Sequence, residues 1–290
     1  MSSGCRARIE RGRALDIDHL RSWIGKTSES DDAVSPRLAN ALAAILDEEP
    51  GLRRGDIAPA GIHWCLSPEI APMHRLGPDG HPARGDFLPP VPLPRRMWAG
   101  GELVFHGEFR VGDAVRRASR VGDVAVKTGR SGPLCFVAVH HDYHGPRGLI
   151  LSERHDIVYR GAGAPAATAP PVAALPATAQ RLEVAATPLL LARYSAVTFN
   201  GHRIHYDREY CLQQEGYPGL IVHGPLQATY MLRMARQMNG GALPRRFAYR
   251  GAAPLFDGAT FTVNGARTDG GTLLWVADDR GVMTMRAQVS

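Results

Sequence analysis

Cysteine is scarce in this chain of 290 residues, and the four present, Cys5, Cys65, Cys135 and Cys211, stand far apart. No closely spaced cysteine pair occurs, which removes the usual zinc and dithiol motifs and leaves free thiols. No apolar run approaches the roughly 20 residues that cross a bilayer. The opening MSSGCRARIERGRALDIDHL lacks an apolar stretch of signal-peptide type, and Glu10, Asp16 and Asp18 weaken an organelle-transit reading of its arginines. A cytoplasmic protein with no membrane segment is expected. A block of one charge is also missing. The net charge of +6 comes from arginines scattered along the chain rather than gathered in a tract. A basic chain of this kind can bind nucleic acid, but an anionic small molecule explains scattered arginines equally well, and no nucleic-acid partner is expected.

What is present is enough for a real core: 44% of residues are hydrophobic and 21% charged, ordinary values for a globular protein. The length suits two domains. Residues 161–180, GAGAPAATAPPVAALPATAQ, are almost entirely Ala, Pro, Gly and Thr and read as a proline-stiffened linker. It separates an N-terminal domain, 1–160, from a C-terminal domain, 181–290. In the second, HGPLQATYMLRMARQM is a helix with Gly224 as N-cap, Pro225 at the first helical position and Leu226, Tyr230 and Met234 as a buried stripe. Strand-like runs follow: RFAYRGAAPLF, TFTVNGART, TLLWVADDRG and VMTMRAQVS. The first domain shows the same order. SPRLANALAAILDEE carries Ser35 as cap and Leu38, Leu42, Ile45 and Leu46 on one face, and it precedes ELVFHGEFRV, AVRRASRVGDVAVKTG, PLCFVAVHHDY and LILSERHDIVYR. An α+β architecture results, one helix and an antiparallel sheet used twice, without a residue-level repeat.

The densest chemistry lies in YSAVTFNGHRIHYDREYCLQQEGYPGLIVHGPL, Tyr194 to Leu226. Asn200, His202, His205 and Asp207 fall between a strand-like LARYSAVTF and a short helix DREYCLQQE, and His223 and Gly224 open the long helix. Three readings stand side by side. His202, His205, Asp207 and His223 contain the donor types of a zinc site, although their spacing fits no standard motif. A polar loop with hydrogen-bonded histidines is the second. The third is a site for enolate chemistry beside a carbonyl: the glycine-rich helix start offers free N–H groups to a developing oxyanion, and imidazole moves the proton. The third accounts best for the density.

FNGHRIHYD followed by GYPGLIVHGPL resembles the active-site region of the MaoC-like (R)-specific enoyl-CoA hydratases. LPRRMWAGGELVFHGEFRVGDAV and VKTGRSGPLCFVAVHHDY extend the likeness to the branch of type 2 hydroxyacyl-thioester dehydratases and of 3-methylfumaryl-CoA (mesaconyl-CoA) or itaconyl-CoA hydratases. The resemblance implies a double hot-dog fold, two antiparallel sheets each wrapped around a long central helix. One site per chain is implied in the second half, with the first shaping the acyl pocket and supporting coenzyme A. The family motif Gly-Asp-x-Asn-Pro-Ile/Leu-His falls on Phe199 to His205. His205 then matches the catalytic His, the catalytic Asp falls on Asn200, which cannot act as a base, and the family Asn falls on His202. His205 would activate water, Asn200 would hold it, His202 or Asp207 would orient or replace the second group, and Gly224 N–H would meet the thioester oxygen. Candidates for substrate or CoA binding are Tyr194, Arg203, Tyr217, His223, Arg245 and Arg246. The implied reaction adds water reversibly to an enoyl-CoA, favouring a short branched dicarboxylic acyl group hydrated to citramalyl-CoA. No metal or other cofactor is expected, since coenzyme A enters with the substrate, and a homodimer is the expected assembly. A fatty hydroxyacyl-thioester dehydratase, a thioesterase on the same fold and a non-catalytic acyl-CoA or nucleic-acid binding module are the alternatives.

Overall fold

The computed structural model describes residues 15–129, 132–162 and 176–290. Cys5 and most of the 161–180 segment lie outside the described residues; Cys65, Cys135 and Cys211 are buried free thiols. The first half holds α1 (Ile17–Arg21), β1 (Thr27–Ala33), α2 (Pro36–Ile45), β2 (Arg95–Phe105), β3 (Ala114–Gly129), β4 (Gly132–Gly145) and β5 (Gly148–Arg160). The second holds β6 (Gln180–Ala185), α3 (Pro188–Thr198), the single turn α4 (Arg208–Tyr210), α5 (Gly224–Met238), β7 (Arg246–Gly251), β8 (Thr260–Thr268), β9 (Gly271–Ala277) and β10 (Met283–Val289).

All ten strands belong to one sheet in the order β1-β3-β4-β5-β2-β7-β10-β9-β8-β6. Read outward from the β2–β7 seam, the halves match: second strand, fifth, fourth, third, first. The two expected sheets are thus continuous, because Gly100–Val104 pairs antiparallel with Arg250–Arg246 across the seam. The halves also share a core. Leu38, Leu42 and Leu46 pack in one cluster with Leu226, Met231 and Met234, and Tyr230 Oη donates to Ile45 O at 3.2 Å.

The helices form where caps and buried stripes coincide. Ser35 Oγ accepts from Leu38 N at 3.1 Å, with Pro36 in the first turn of α2. α2 packs on α3, and α5 packs across β7, β8, β9 and β10. The cap of α5 is His223, one residue earlier than expected, so Gly224 and Pro225 are its first helical residues. Residues 191–199, expected as a strand, lie mostly in α3. Thr187 Oγ1 accepts from Leu190 N at 3.1 Å, Pro188 stands at the first turn, and Leu191, Tyr194 and Ser195 are buried at helical spacing. That cap and burial outweigh the strand preference of Val197 and Thr198.

Candidate active site

The motif loop begins where α3 ends, at Phe199 in left-handed backbone (φ 51°). Asn200 N–H donates to Ser195 O at 2.8 Å, and Asn200 Oδ1 accepts from His202 N–H at 2.9 Å. This short Asn turn aims the 3₁₀ turn Arg203–His205. His205 is buried, with Nδ1 2.7 Å from Ile221 O. A carbonyl can only accept, so Nδ1 carries the hydrogen and Nε2 keeps its lone pair. Burial pushes the His205 pKa down to about 4, which leaves the ring in its basic, neutral form near pH 7.

His223 stacks on His205 with ring centroids 3.6 Å apart and planes 17° from parallel. Its Nε2 lies 2.8 Å from Ser195 Oγ, and its Nδ1 is buried without a hydrogen-bond partner among the described residues. Tyr194 meets His223 edge to face at 5.0 Å and places its hydroxyl 3.4 Å from Thr229 Oγ1, so it walls the stack from behind. Gly224 follows. A Cβ there would lie 2.5 Å from Cε3 of Trp98, a residue of β2 in the other half. Glycine is needed for that approach, and as the first residue of α5 its N–H has no intrahelical acceptor.

The remaining sequence candidates are placed differently. Tyr217 is buried on the cavity, accepting from Arg160 Nη2 at 3.3 Å. Asp207 caps α4 through Tyr210 N at 3.0 Å and receives Arg203 Nε and Nη2 at 3.0 and 2.8 Å. Its carboxylate is held below the usual range by the Tyr210 N–H and by Arg203. Those bonds spend it on the turn, and it does not join the histidines. Arg203 stays at the rim, stacked 4.2 Å over Tyr210 and donating to Pro78 O at 3.0 Å. Arg245 and Arg246 do not line the cavity. They are close to the motif only in chain order, because β7 carries them along the sheet, where Arg246 pairs with Glu102 at 2.6 Å.

Sequence reasoning expected the first half to shape the acyl pocket but did not single out the Asp79–His81 loop. A cavity of about 2280 Å³ is lined from both halves, by His202, His205 and Gly224 and by His81, Arg96 and Trp98. The His81 ring lies 4.2 Å from that of His202, which stands 5.5 Å from His205. Asp79 Oδ2 is 3.2 Å from His81 Nδ1, and His81 N–H donates to Asp79 Oδ1 at 3.1 Å. Burial alone would raise the Asp79 carboxyl, but its bonds to His81 and nearby positive charge hold it down at about 2. Donor atoms of Asp79, His81 and His202 lie within 4.8 Å of one another. That is as near as the described residues come to a metal-ligand set, and the Asp79–His81 hydrogen bond already occupies two of its members. The signal for this loop was GPDGHP, an Asp and a His set among tight-turn residues.

Two matching halves joined into one sheet, with a candidate site in the cleft that both line, define a double hot-dog protein. A Mycobacterium tuberculosis protein described as having a double hotdog fold superposes with a TM-score of 0.55 at 16% identity, covering 92% of this chain and 96% of that one. A MaoC-like dehydratase from Phytophthora capsici gives 0.68 at 14% identity, covering 95% and 98%. The family profile of hydroxyacyl-thioester dehydratase type 2 matches residues 61–257. Mesaconyl-C(4)-CoA hydratase of Chloroflexus aurantiacus is 43% identical over 254 residues, 86% of this chain and 90% of that protein. The chain belongs to the type 2 hydroxyacyl-thioester dehydratase family and is an enzyme of the hydro-lyase class. No described helix is long and apolar enough to cross a membrane.

Proposed function

We propose that the enzyme hydrates a short, branched dicarboxylic enoyl-CoA, 3-methylfumaryl-CoA or itaconyl-CoA, to citramalyl-CoA. The observation that carries this substrate choice is Arg96. Its neighbour Arg95 is paired with Glu215 at 3.0 Å, whereas Arg96 lines the cavity and forms no salt bridge among the described residues, although its charge reaches the Tyr159 hydroxyl and the Asp79 and Glu69 carboxylates. Burial, and then the Arg96 charge, push the His81 pKa down to about 4, and Arg96 adds to the burial effect on His155 and His202. The Arg96 charge thus acts on the histidine cluster inside the cavity, and a distal carboxylate bound there would meet it in bidentate fashion. The Chloroflexus relative's name points to the same acyl class.

In this reading, written for 3-methylfumaryl-CoA, whose alkene is conjugated to the thioester, His205 Nε2 takes a proton from water as the oxygen bonds to the alkene carbon remote from the thioester. The π pair moves toward the thioester carbonyl, and Gly224 N–H receives the growing charge on that oxygen, a contact worth about 3–4 kcal/mol in comparable sites. The imidazolium then protonates the carbon next to the thioester. No resident metal or redox group enters.

The test compares kcat/KM for dicarboxylic, crotonyl and medium-chain enoyl-CoA substrates in the native enzyme and in Arg96→Ala. The diacid should lead by on the order of a hundredfold, and that lead should vanish in the variant. Equal or better use of the medium-chain substrate by the native enzyme would reject the dicarboxylate while leaving a hydratase.

A further inference from the structure

Hydration sets two tasks at the water molecule: one group must take a proton, and another must fix the second O–H so that the oxygen lone pair points at carbon. In the family pattern a carboxylate aligned with position 200 accompanies the histidine. Here the side chain is an amide whose oxygen accepts from His202 N–H and which cannot take up a proton. An imidazole beside it is better suited to accept the second O–H.

The first half inserts a loop at this point. Gly80 sits in left-handed backbone (φ 88°), and a Cβ on it would overlap the carbonyl oxygen of Gly201; a Cβ on Gly201 would in turn lie 2.8 Å from Gly80 O. The two loops therefore meet backbone to backbone, closer than any side chain allows. Arg203 N–H donates to Asp79 O at 2.9 Å and Arg203 Nη1 to Pro78 O at 3.0 Å, which pins the loops together. The contact fixes an ordered series: Asp79 on His81, His81 against His202, His202 beside His205.

We infer that His202, backed by the Asp79–His81 pair of the first half, is the second water-handling group of the reaction. This rests on the hydratase reading given above. His205 breaks one O–H bond while the C–O bond forms, and the same proton goes on to the carbon next to the thioester. His202 accepts the other O–H, which stays on the product hydroxyl, so one water is consumed and no proton is left over. Asp79 and His81 do not reach the water. They are positioning residues: the carboxylate holds Nδ1–H of His81, which sets the ring against His202. The active site is therefore completed across the seam, and the first half supplies part of the proton machinery.

The experiment measures kcat and KM with the best substrate of the thioester panel in His202→Gln, His81→Gln and Asp79→Asn, with folding checked by thermal melting. A native enzyme inactive on every thioester would defeat the hydratase reading itself. With an active native enzyme, His202→Gln should lose at least about a hundredfold in kcat, and the other two about tenfold, with KM within threefold. Asn200→Asp added to His202→Gln should recover at least tenfold by returning the family carboxylate, an effect that a purely structural role of His202 does not produce. The proposal is overturned by a folded His202→Gln variant within threefold of native kcat, or by a loss that Asn200→Asp does not relieve. If His202→Gln does not fold, Asp79→Asn decides, with unchanged kcat overturning the idea. Stoichiometric metal in the native enzyme that is lost in Asp79→Asn would also overturn it.

Discussion

Acidification from pH 8 to pH 5 should remove at least about 4 kcal/mol of folding stability through two buried histidines. His63 and His205 are 1% and 6% exposed, and burial pushes their pKa values from 6.5 down to about 3 and about 4. His63 is the clearer case. It packs against Trp64, Phe109 and Tyr143, and neither ring nitrogen has a hydrogen-bond partner among the described residues. Because the folded pKa values are depressed, the unfolded chain takes up these protons first. The contribution is complete above pH 6.5 and is lost as pH falls toward the folded values. At pH 5 the linkage relation gives about 2 kcal/mol lost for each residue, against a total stability of about 5–15 kcal/mol. The assay is urea denaturation followed by tryptophan fluorescence at both pH values, for the native protein and for His63→Leu. The variant has one fewer buried group to charge, so its loss should be smaller by about 2 kcal/mol. That difference isolates His63 from every other titrating group. An equal loss in the two proteins would refute the account of His63 as a buried neutral imidazole.

Three further outcomes are expected. His205→Ala should lower kcat by roughly a hundredfold or more; a folded variant with near-native turnover in the hydration assay removes His205 from the chemistry. Gly224→Ala sets a methyl 2.5 Å from the Trp98 ring and should move both the indole and the N–H donor. The expected drop in kcat/KM is on the order of a hundredfold, and a native value would place the thioester oxygen elsewhere. Exhaustive chelation followed by assay should leave the rate unchanged, and activity that disappears and returns with added zinc contradicts the metal-free mechanism.

Periodicity revealed those elements whose burial is one-sided. α2 showed its stripe, β3 and β8 matched their expected runs to the residue, and β10 alternated from Met285 onward, while Thr284 is buried against the pattern and α5 buries Gln227, Ala228, Thr229 and Met231 beside its expected stripe. β1, TSESDDA, has almost no apolar residue because it is an exposed edge strand, so no burial pattern marks it. α3 was hidden by its β-branched and aromatic residues, although Thr187 and Pro188 announced a helix start. Within the site, His205, His223 and Gly224 were legible because the chain itself brings them together around one turn and one helix end. Asp79, His81 and Trp98 were not assigned to it, since only the pairing of the halves carries them there. Arg245 and Arg246 were chosen for nearness in sequence, which a strand leading away from the site makes meaningless.

The seam between β2 and β7 bears on how such a chain can be divided. Each half produced alone would expose the whole hydrogen-bonding edge of its seam strand, a row of N–H and C=O groups bordered by apolar side chains such as Leu103 and Phe247. An open edge of that kind recruits any strand available, including a second copy of itself. Fusion into one chain keeps the correct partner at high local concentration, so the seam closes on its counterpart before it can seed a self-pairing or fibrous product.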